Sequence, residues 1–172
     1  CVFLTNRRKC GSLCLMGTLT HSKDGITPLL FAAECGHSDI VDLLLKNGAL
    51  ADSRDVTGST ALHCAANLGH QQLVDILLAA GANVHSVDKE GFTALHLSAA
   101  NGHEAISKAL IMKGANVNCK NSRNITPLHV AAAKTCNEET IQLLLKYGAI
   151  SWKGYSTGEQ TLISEIRRIE HR

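Results

Sequence analysis

Nine histidines and seven cysteines are the side chains of this 172-residue sequence best suited to metal binding or nucleophilic chemistry. Their spacing is regular. His63, His96 and His129 recur every 33 residues, and so do His37, His70 and His103. Sets of equivalent imidazoles invite a zinc site. Residues one repeat apart, however, belong to neighbouring copies of a unit, and packed helices lie roughly 8–10 Å apart. Zinc holds its ligands at about 2.0–2.3 Å. Equivalent histidines in adjacent copies therefore cannot share one ion, and no metal is expected. Structural roles follow instead, because buried imidazoles need hydrogen-bond partners.

Cys1, Cys10, Cys14, Cys35, Cys64, Cys119 and Cys136 are odd in number and form neither a disulfide framework nor paired CxxC motifs. Free thiols in a reducing compartment are the simpler reading. His63-Cys64 suggests a thiolate pair, but sequence neighbours on a helix do not face each other. Cys64 also falls where Phe31, Leu97 and Val130 fall in the other copies, so it reads as a small core residue. None of the standard catalytic motifs is present. The glycines sit at repeat boundaries and not before a Lys-Ser/Thr pair, so no phosphate loop is formed. The expectation is a protein that is not an enzyme and takes no cofactor and no small-molecule substrate.

The elements that position these residues follow from the repeat. Thr27, Thr60, Thr93 and Thr126 recur at intervals of 33. Each stands in a short motif: Gly25-Ile-Thr-Pro-Leu29, Gly58-Ser-Thr-Ala-Leu62, Gly91-Phe-Thr-Ala-Leu95 and Asn124-Ile-Thr-Pro-Leu128. A threonine before Pro or Ala suits a helix start, since its hydroxyl caps an orphan N–H and Pro is tolerated at the first helical position. The following Leu-x-x-Ala-Ala pattern puts small residues on one helix face. Gly36, Gly69 and Gly102 can end that helix in the left-handed conformation. A second apolar helix is expected next, for example over Ile40 to Lys46, ended by Gly48 in the first unit. The polar stretch from Leu50 to Gly58 then reads as a projecting turn. No such unit buries its apolar face alone, so neighbours must stack.

This period and the Thr-Pro-Leu-His-like signature resemble the ankyrin repeat. The resemblance implies an all-α solenoid of stacked helix-turn-helix units whose turns show at most a few β bridges. It divides the chain into repeats over 22–54, 55–87, 88–120 and 121–154, with an unassigned segment or degenerate cap over 1–21 and a degenerate capping unit over 155–172. It also implies that His63, His96 and His129 hydrogen-bond around the capped helix start, and that His37, His70 and His103 bond across the turn. There are departures. Leu30 replaces the histidine in the first unit. In the fourth, 22 positions separate Thr126 from Gly148 where the others have 21. The extra residue lies near Lys134-Thr135-Cys136-Asn137, where Asn137 is expected to supply a left-handed turn.

In the ankyrin family the turn tips and first helices form a concave protein-binding surface. The positions that vary between units map to it. In the first unit they are His21, Lys23, Asp24, Ile26, Glu34 and Cys35. The second offers Arg54, Val56, Thr57, Ser59, Asn67 and Leu68. The third offers Val87, Lys89, Glu90, Phe92, Ala100 and Asn101. The fourth offers Lys120, Ser122, Arg123, Ile125, Ala133 and Lys134. This is enough surface for one partner, since a standard interface uses about 20–30 residues a side. Phe92 is the best single anchor, because aromatics are enriched at interface hot spots and only 3% of this chain is aromatic.

A net charge of +2, with acids and bases mixed, gives no broad field for nucleic acid or an acidic membrane. No apolar run of about 18 residues could span a bilayer. Arg7-Arg8-Lys9 before Cys10 to Leu19 faintly resembles a signal peptide, but glycines and hydroxyl residues dilute the stretch. The chain opens on Cys1, which reads as a fragment or a processed product. The leading expectation is an intracellular protein-interaction module, cytoplasmic or nuclear, acting as adaptor or scaffold. The alternatives are a regulatory or targeting arm of a larger enzyme or channel, and a secreted toxin-like repeat protein.

Overall fold

The computed structural model describes residues 25–134 and 137–150. The segment 1–21, the capping unit at 155–172 and the corner residues Thr135 and Cys136 lie outside the described residues, as do His21, Lys23 and Asp24. The described chain runs as four helix pairs: α1 (Pro28–Glu34) with α2 (Ser38–Lys46), α3 (Ala61–Leu68) with α4 (Gln71–Ala79), α5 (Ala94–Ala100) with α6 (Glu104–Met112), and α7 (Pro127–Lys134) with α8 (Glu138–Lys146). Each helix has only seven to nine residues. Isolated helices under about 12–15 residues are marginal in water, so packing must hold these.

The helix starts follow the capping logic. Thr27 Oγ1 accepts from Leu30 N at 3.3 Å, and Thr93 Oγ1 from His96 N at 3.4 Å. Gly69 ends α3 at φ 81°, and the His70 N–H then bonds back to Ala65 O at 3.0 Å. The second helices begin two residues earlier than expected, at Ser38 and not Ile40. Asp39 lies in that first turn and favours the positive helix end. Asn137 departs from expectation. It caps α8 at φ −73°, its Oδ1 accepting from Thr140 N at 2.9 Å. A capping bond satisfies an otherwise orphaned N–H, which a left-handed residue would not. Among the described residues, the non-glycine residue that does adopt a positive φ is Asn124, at 60°, where the other units have glycine.

The core runs continuously through the stack. Leu29, Leu62, Leu95 and Leu128 of the first helices are fully buried, as are Leu73, Leu77, Ile106, Leu110, Ile141 and Leu144 of the second. Ala32, Ala33, Ala65, Ala66, Ala99, Ala131 and Ala132 are buried too. These small side chains let the first helices pack against one another more closely than the second helices do. The array therefore curves with its first helices on the inner side.

Between pairs, each chain segment projects as a finger. Among the described residues the fingers contain no strand or β bridge. A side chain closes each one instead. Asp55 Oδ1 accepts from Thr57 N at 2.8 Å and Ser59 N at 2.9 Å. Asp88 Oδ1 does the same for Glu90 N and Phe92 N, at 2.9 and 2.8 Å. Single backbone bonds link adjacent fingers: Lys89 N to Thr57 O at 2.9 Å, and Ser122 N to Glu90 O at 3.0 Å.

A candidate protein-binding face

The recurrent histidines belong to the scaffold. His63 Nδ1 accepts from Thr60 N at 3.2 Å, and its Nε2 lies 3.0 Å from Phe92 O in the next finger. His96 repeats this with Thr93 N at 3.2 Å and Ile125 O at 3.0 Å. A backbone N–H always donates, so Nδ1 must be bare and Nε2 must carry the proton. Each imidazole thus caps its own helix and ties it to the following unit. Both rings are buried, at 2% and 0% exposure. Burial lowers both pKa values, opposed by the bonded carbonyls and Asp88. Leu30 stands at the same position in the first unit, itself buried, and lacks such a bridge.

The second histidine set does not bond across the turn as expected. His37, His70 and His103 make no side-chain capping bond. His70 and His103 pack instead on glycines of the preceding unit. A Cβ added at Gly36 would lie 2.8 Å from the His70 ring, and one at Gly69 would lie 2.7 Å from the His103 ring. Asn137 occupies the equivalent place over Gly102. Flat rings need a neighbour without a side chain, and glycine alone supplies it.

Cys64 and Cys119 are unsuited to nucleophilic work. Burial pushes Cys64 up to about 12, reinforced by Glu34 and Asp55. Cys119 Sγ lies 3.6 Å from Thr93 Oγ1 and 3.7 Å from His96 Nδ1. Sequence reading missed that juxtaposition, yet burial raises its pKa as well. A reactive cysteine needs the opposite shift. Among the described residues, no three His, Cys, Asp or Glu side chains gather closely enough to hold a metal ion. A depression of about 450 Å³ opens between the loops after α2 and α4, lined in part by Leu50, Asp52 and Gly81. Its carboxylate is already engaged, since Asp52 Oδ1 accepts from Asn83 N at 2.9 Å.

The inner face offers more. In each first helix the positions at i, i+3 and i+4 line one side. Phe31, Cys64, Leu97 and Val130 form its floor, and all four are half-buried rather than enclosed in the core. Their spacing of 33 was visible in the sequence; their partial exposure was not. Beside this floor runs a polar ladder. Asn101 Nδ2 donates to Asn67 Oδ1 at 2.9 Å and to Asn67 O at 3.0 Å, and Lys134 Nζ donates to Asn101 Oδ1 at 3.1 Å. Asn67 and Asn101 therefore hold neighbouring units together and present less free hydrogen-bonding capacity than the sequence suggested.

The finger residues divide in the same way. Thr57 and Ser59 are engaged in closing their own finger on Asp55. Arg54 donates to Val87 O at 2.6 Å and so links two fingers. Phe92 is half-buried with its ring edge-on to His96, centroids 5.6 Å apart, and Ile125 is half-buried one unit on. Val56, Leu68 and Val87 are 50%, 45% and 41% exposed. Lys89, Glu90, Lys120 and Arg123 are exposed at the tips.

The arrangement of short capped helix pairs, glycine-ended and finger-linked, matches a known architecture. No curated protein matches the sequence. A family model described as ankyrin repeats in three copies matches residues 9–88 and 69–153. Such repeats generally serve protein–protein interaction. The chain belongs to the ankyrin repeat family.

Proposed function

We propose that this chain is a non-catalytic interaction module, an adaptor or scaffold element, that docks a protein partner on its inner helix face and finger row. One observation carries the reading. The units repeat their caps, glycines and finger closures, yet vary along the inner face and finger row, which carry exposed Val56, Leu68 and Val87 together with exposed Lys89 and Lys120. Apolar anchors within a polar rim are what a protein interface requires. Among the described residues no helix is long and apolar enough to cross a membrane. The thiols favour a reducing compartment, cytoplasmic or nuclear, as the place of action.

The experiment compares affinity capture by three forms of the whole chain. One is unaltered, one carries Val56→Glu and Leu68→Glu on the inner face, and one carries Leu43→Glu and Met112→Glu on the outer helices. Leu43 and Met112 are 61% and 71% exposed, so both pairs of changes are tolerable to the fold. Partners lost with the inner pair and kept with the outer pair support the reading. The reverse pattern refutes it.

A further inference from the structure

Two asparagines of this chain are followed by glycine: Asn47-Gly48 at the end of α2 and Asn101-Gly102 at the end of α5. That pairing carries chemistry of its own. Asparagine is among the thermolabile residues. Attack of the next backbone nitrogen on its side-chain carbonyl carbon closes a succinimide ring, and a glycine, having no Cβ, leaves that approach unhindered. Other asparagines in turns lack this neighbour. Asn83 and Asn121 precede Val84 and Ser122, and their side chains close turns by accepting backbone N–H bonds.

The fold holds the two pairs in different ways. Asn101-Gly102 is clamped by units on both sides. Asn101 Nδ2 donates to Asn67 Oδ1 at 2.9 Å, and to Asn67 O and Leu97 O at 3.0 Å each. Lys134 Nζ holds its Oδ1 at 3.1 Å. Asn137 covers Gly102, where an added Cβ would lie 2.9 Å from the Asn137 Nδ2. Both residues of the pair are half-buried. Freeing them requires neighbouring units to part. Asn47 and Gly48 are exposed, and an added Cβ at Gly48 would meet nothing within 4 Å. Their bonds are local. Asn47 Nδ2 donates to Leu43 O at 2.7 Å, and Gly48 N donates to Leu45 O at 3.0 Å. Opening the last turn of α2 releases both reacting groups at once. Helix ends of this kind open at low free energy.

We propose that Asn47 is a site of spontaneous, non-enzymatic conversion to aspartate and isoaspartate, and that the ladder through Asn67, Asn101 and Lys134 spares Asn101 on the inner face. In the opened turn Gly48 N attacks Asn47 Cγ. The N–Cγ bond forms and the Cγ–Nδ2 bond breaks. The displaced N–H proton leaves with the amide nitrogen as ammonia. Water then opens the succinimide at either carbonyl and leaves a carboxylate. Water is the sole co-reactant. The product alters the fold locally. A new negative charge stands at the negative end of α2, and the donor to Leu43 O is weakened or lost with the amide. Isoaspartate also adds a methylene to the backbone. The array therefore loosens at its first unit as it ages, while the inner face of the later units is preserved. This inference goes beyond the protein-binding reading and does not rest on it.

The test holds the whole 172-residue chain in mildly alkaline buffer and digests samples with trypsin at intervals. The two sites fall in separate peptides, 47–54 and 90–108, each with a single asparagine. Mass spectrometry follows replacement of the amide by a carboxyl, and an isoaspartate methyltransferase with a labelled methyl donor detects the isomer. Asn47 is expected to convert about tenfold faster than Asn101 or more, the ratio that two additional hydrogen bonds of ordinary net strength supply. In urea the two sites convert at similar rates. Asn67→Ala speeds conversion at Asn101 and leaves Asn47 unchanged, and Lys134→Ala, at an exposed side chain, does so to a smaller extent. Amide exchange in the aged chain quickens in α2 and not in α5. Equal rates in the folded chain, or a faster Asn101, overturn the proposal. So does a ratio that persists in urea, because local sequence would then account for it. An Asn101 rate unchanged in both variants overturns the role of the ladder.

Discussion

Acidification should loosen this array through His63 and His96. Both rings hold a bare Nδ1 against a backbone N–H, at 3.2 Å in each case. A second proton on the ring would face that N–H and break the cap. Burial accordingly lowers both pKa values below the ordinary 6.5. The sign follows directly. Below pH 6.5 the unfolded chain takes up protons that the folded chain refuses, so stability is present above that value and falls as pH drops toward the lowered folded values. Each ring contributes a slope of about 1.4 kcal/mol per pH unit in that window. Between pH 7.5 and 5.5 the loss is thus at most about 1.4 kcal/mol per histidine, or about 3 kcal/mol for the two. Glu34, whose carboxyl is raised, acts in the opposite sense in a lower window, above its ordinary 4.5. Urea unfolding followed by circular dichroism at 222 nm, repeated across this pH range, reads the loss as a shift in midpoint. The protein supplies its own control, because Leu30 already fills the position in the first unit at 2% exposure. The double variant His63→Leu/His96→Leu should lose most of the pH slope. A slope that survives the double variant unchanged would refute the argument.

Three further outcomes are expected. Ser98 and Ser107 bond each other at 2.9 Å, both fully buried, where earlier units have Ala32 and Ala65 or Val41 and Val74. Replacing both at once, Ser98→Ala with Ser107→Val, should raise stability by roughly 1 kcal/mol in denaturant titration, since no partner is orphaned and apolar area is gained. Gly81→Ala should cost about 1–2 kcal/mol from its positive φ alone, whereas Gly69→Ala should cost about 1–3 kcal/mol more because its Cβ meets the His103 ring; equal thermal shifts for the two would contradict the packing described. Amide exchange should be slowest from Thr60 to Leu110, where His63 and His96 bridge to the next finger, and faster in α1 and α2, where Leu30 makes no such bridge.

The helices and their ends were legible because each obeys a local rule repeated at one spacing. Thr27 and Thr93 cap, Gly69 turns left-handed, and the alanines pack, all through residues close in sequence. What escaped detection depends on contacts between units. The link from His63 to Phe92 O spans two repeats, and no local pattern announces it. The ladder from Asn67 to Asn101 runs at an offset of 34 rather than 33, so alignment of the units hides it. Phe31, Cys64, Leu97 and Val130 read as core because apolar character is common to core and groove floor. Asn137 reads as a left-handed turn because asparagine tolerates that conformation, but the same side chain can cap a helix, and it bonds Thr140 N in that way. The finger closures were in plain view: Asp55, Asp88 and Asn121 recur every 33 residues, yet an acidic or amide residue in a turn has too many other uses to stand out. Of the proposed binding residues, Val56, Leu68, Val87, Lys89 and Lys120 are open to a partner, while Thr57, Ser59, Asn67 and Asn101 also maintain the scaffold.

The most direct test of the central claim is site-specific photocrosslinking. A photoreactive phenylalanine analogue is placed at Val87 on the finger row in one version of the whole chain, and at Met112 on the outer helices in another, 41% and 71% exposed respectively. Irradiation in cells and mass spectrometry identify what each position touches. The account predicts one dominant protein crosslinked from position 87, lost on adding Leu68→Glu, and no such product from position 112. A specific partner captured from position 112 and none from position 87 would contradict it.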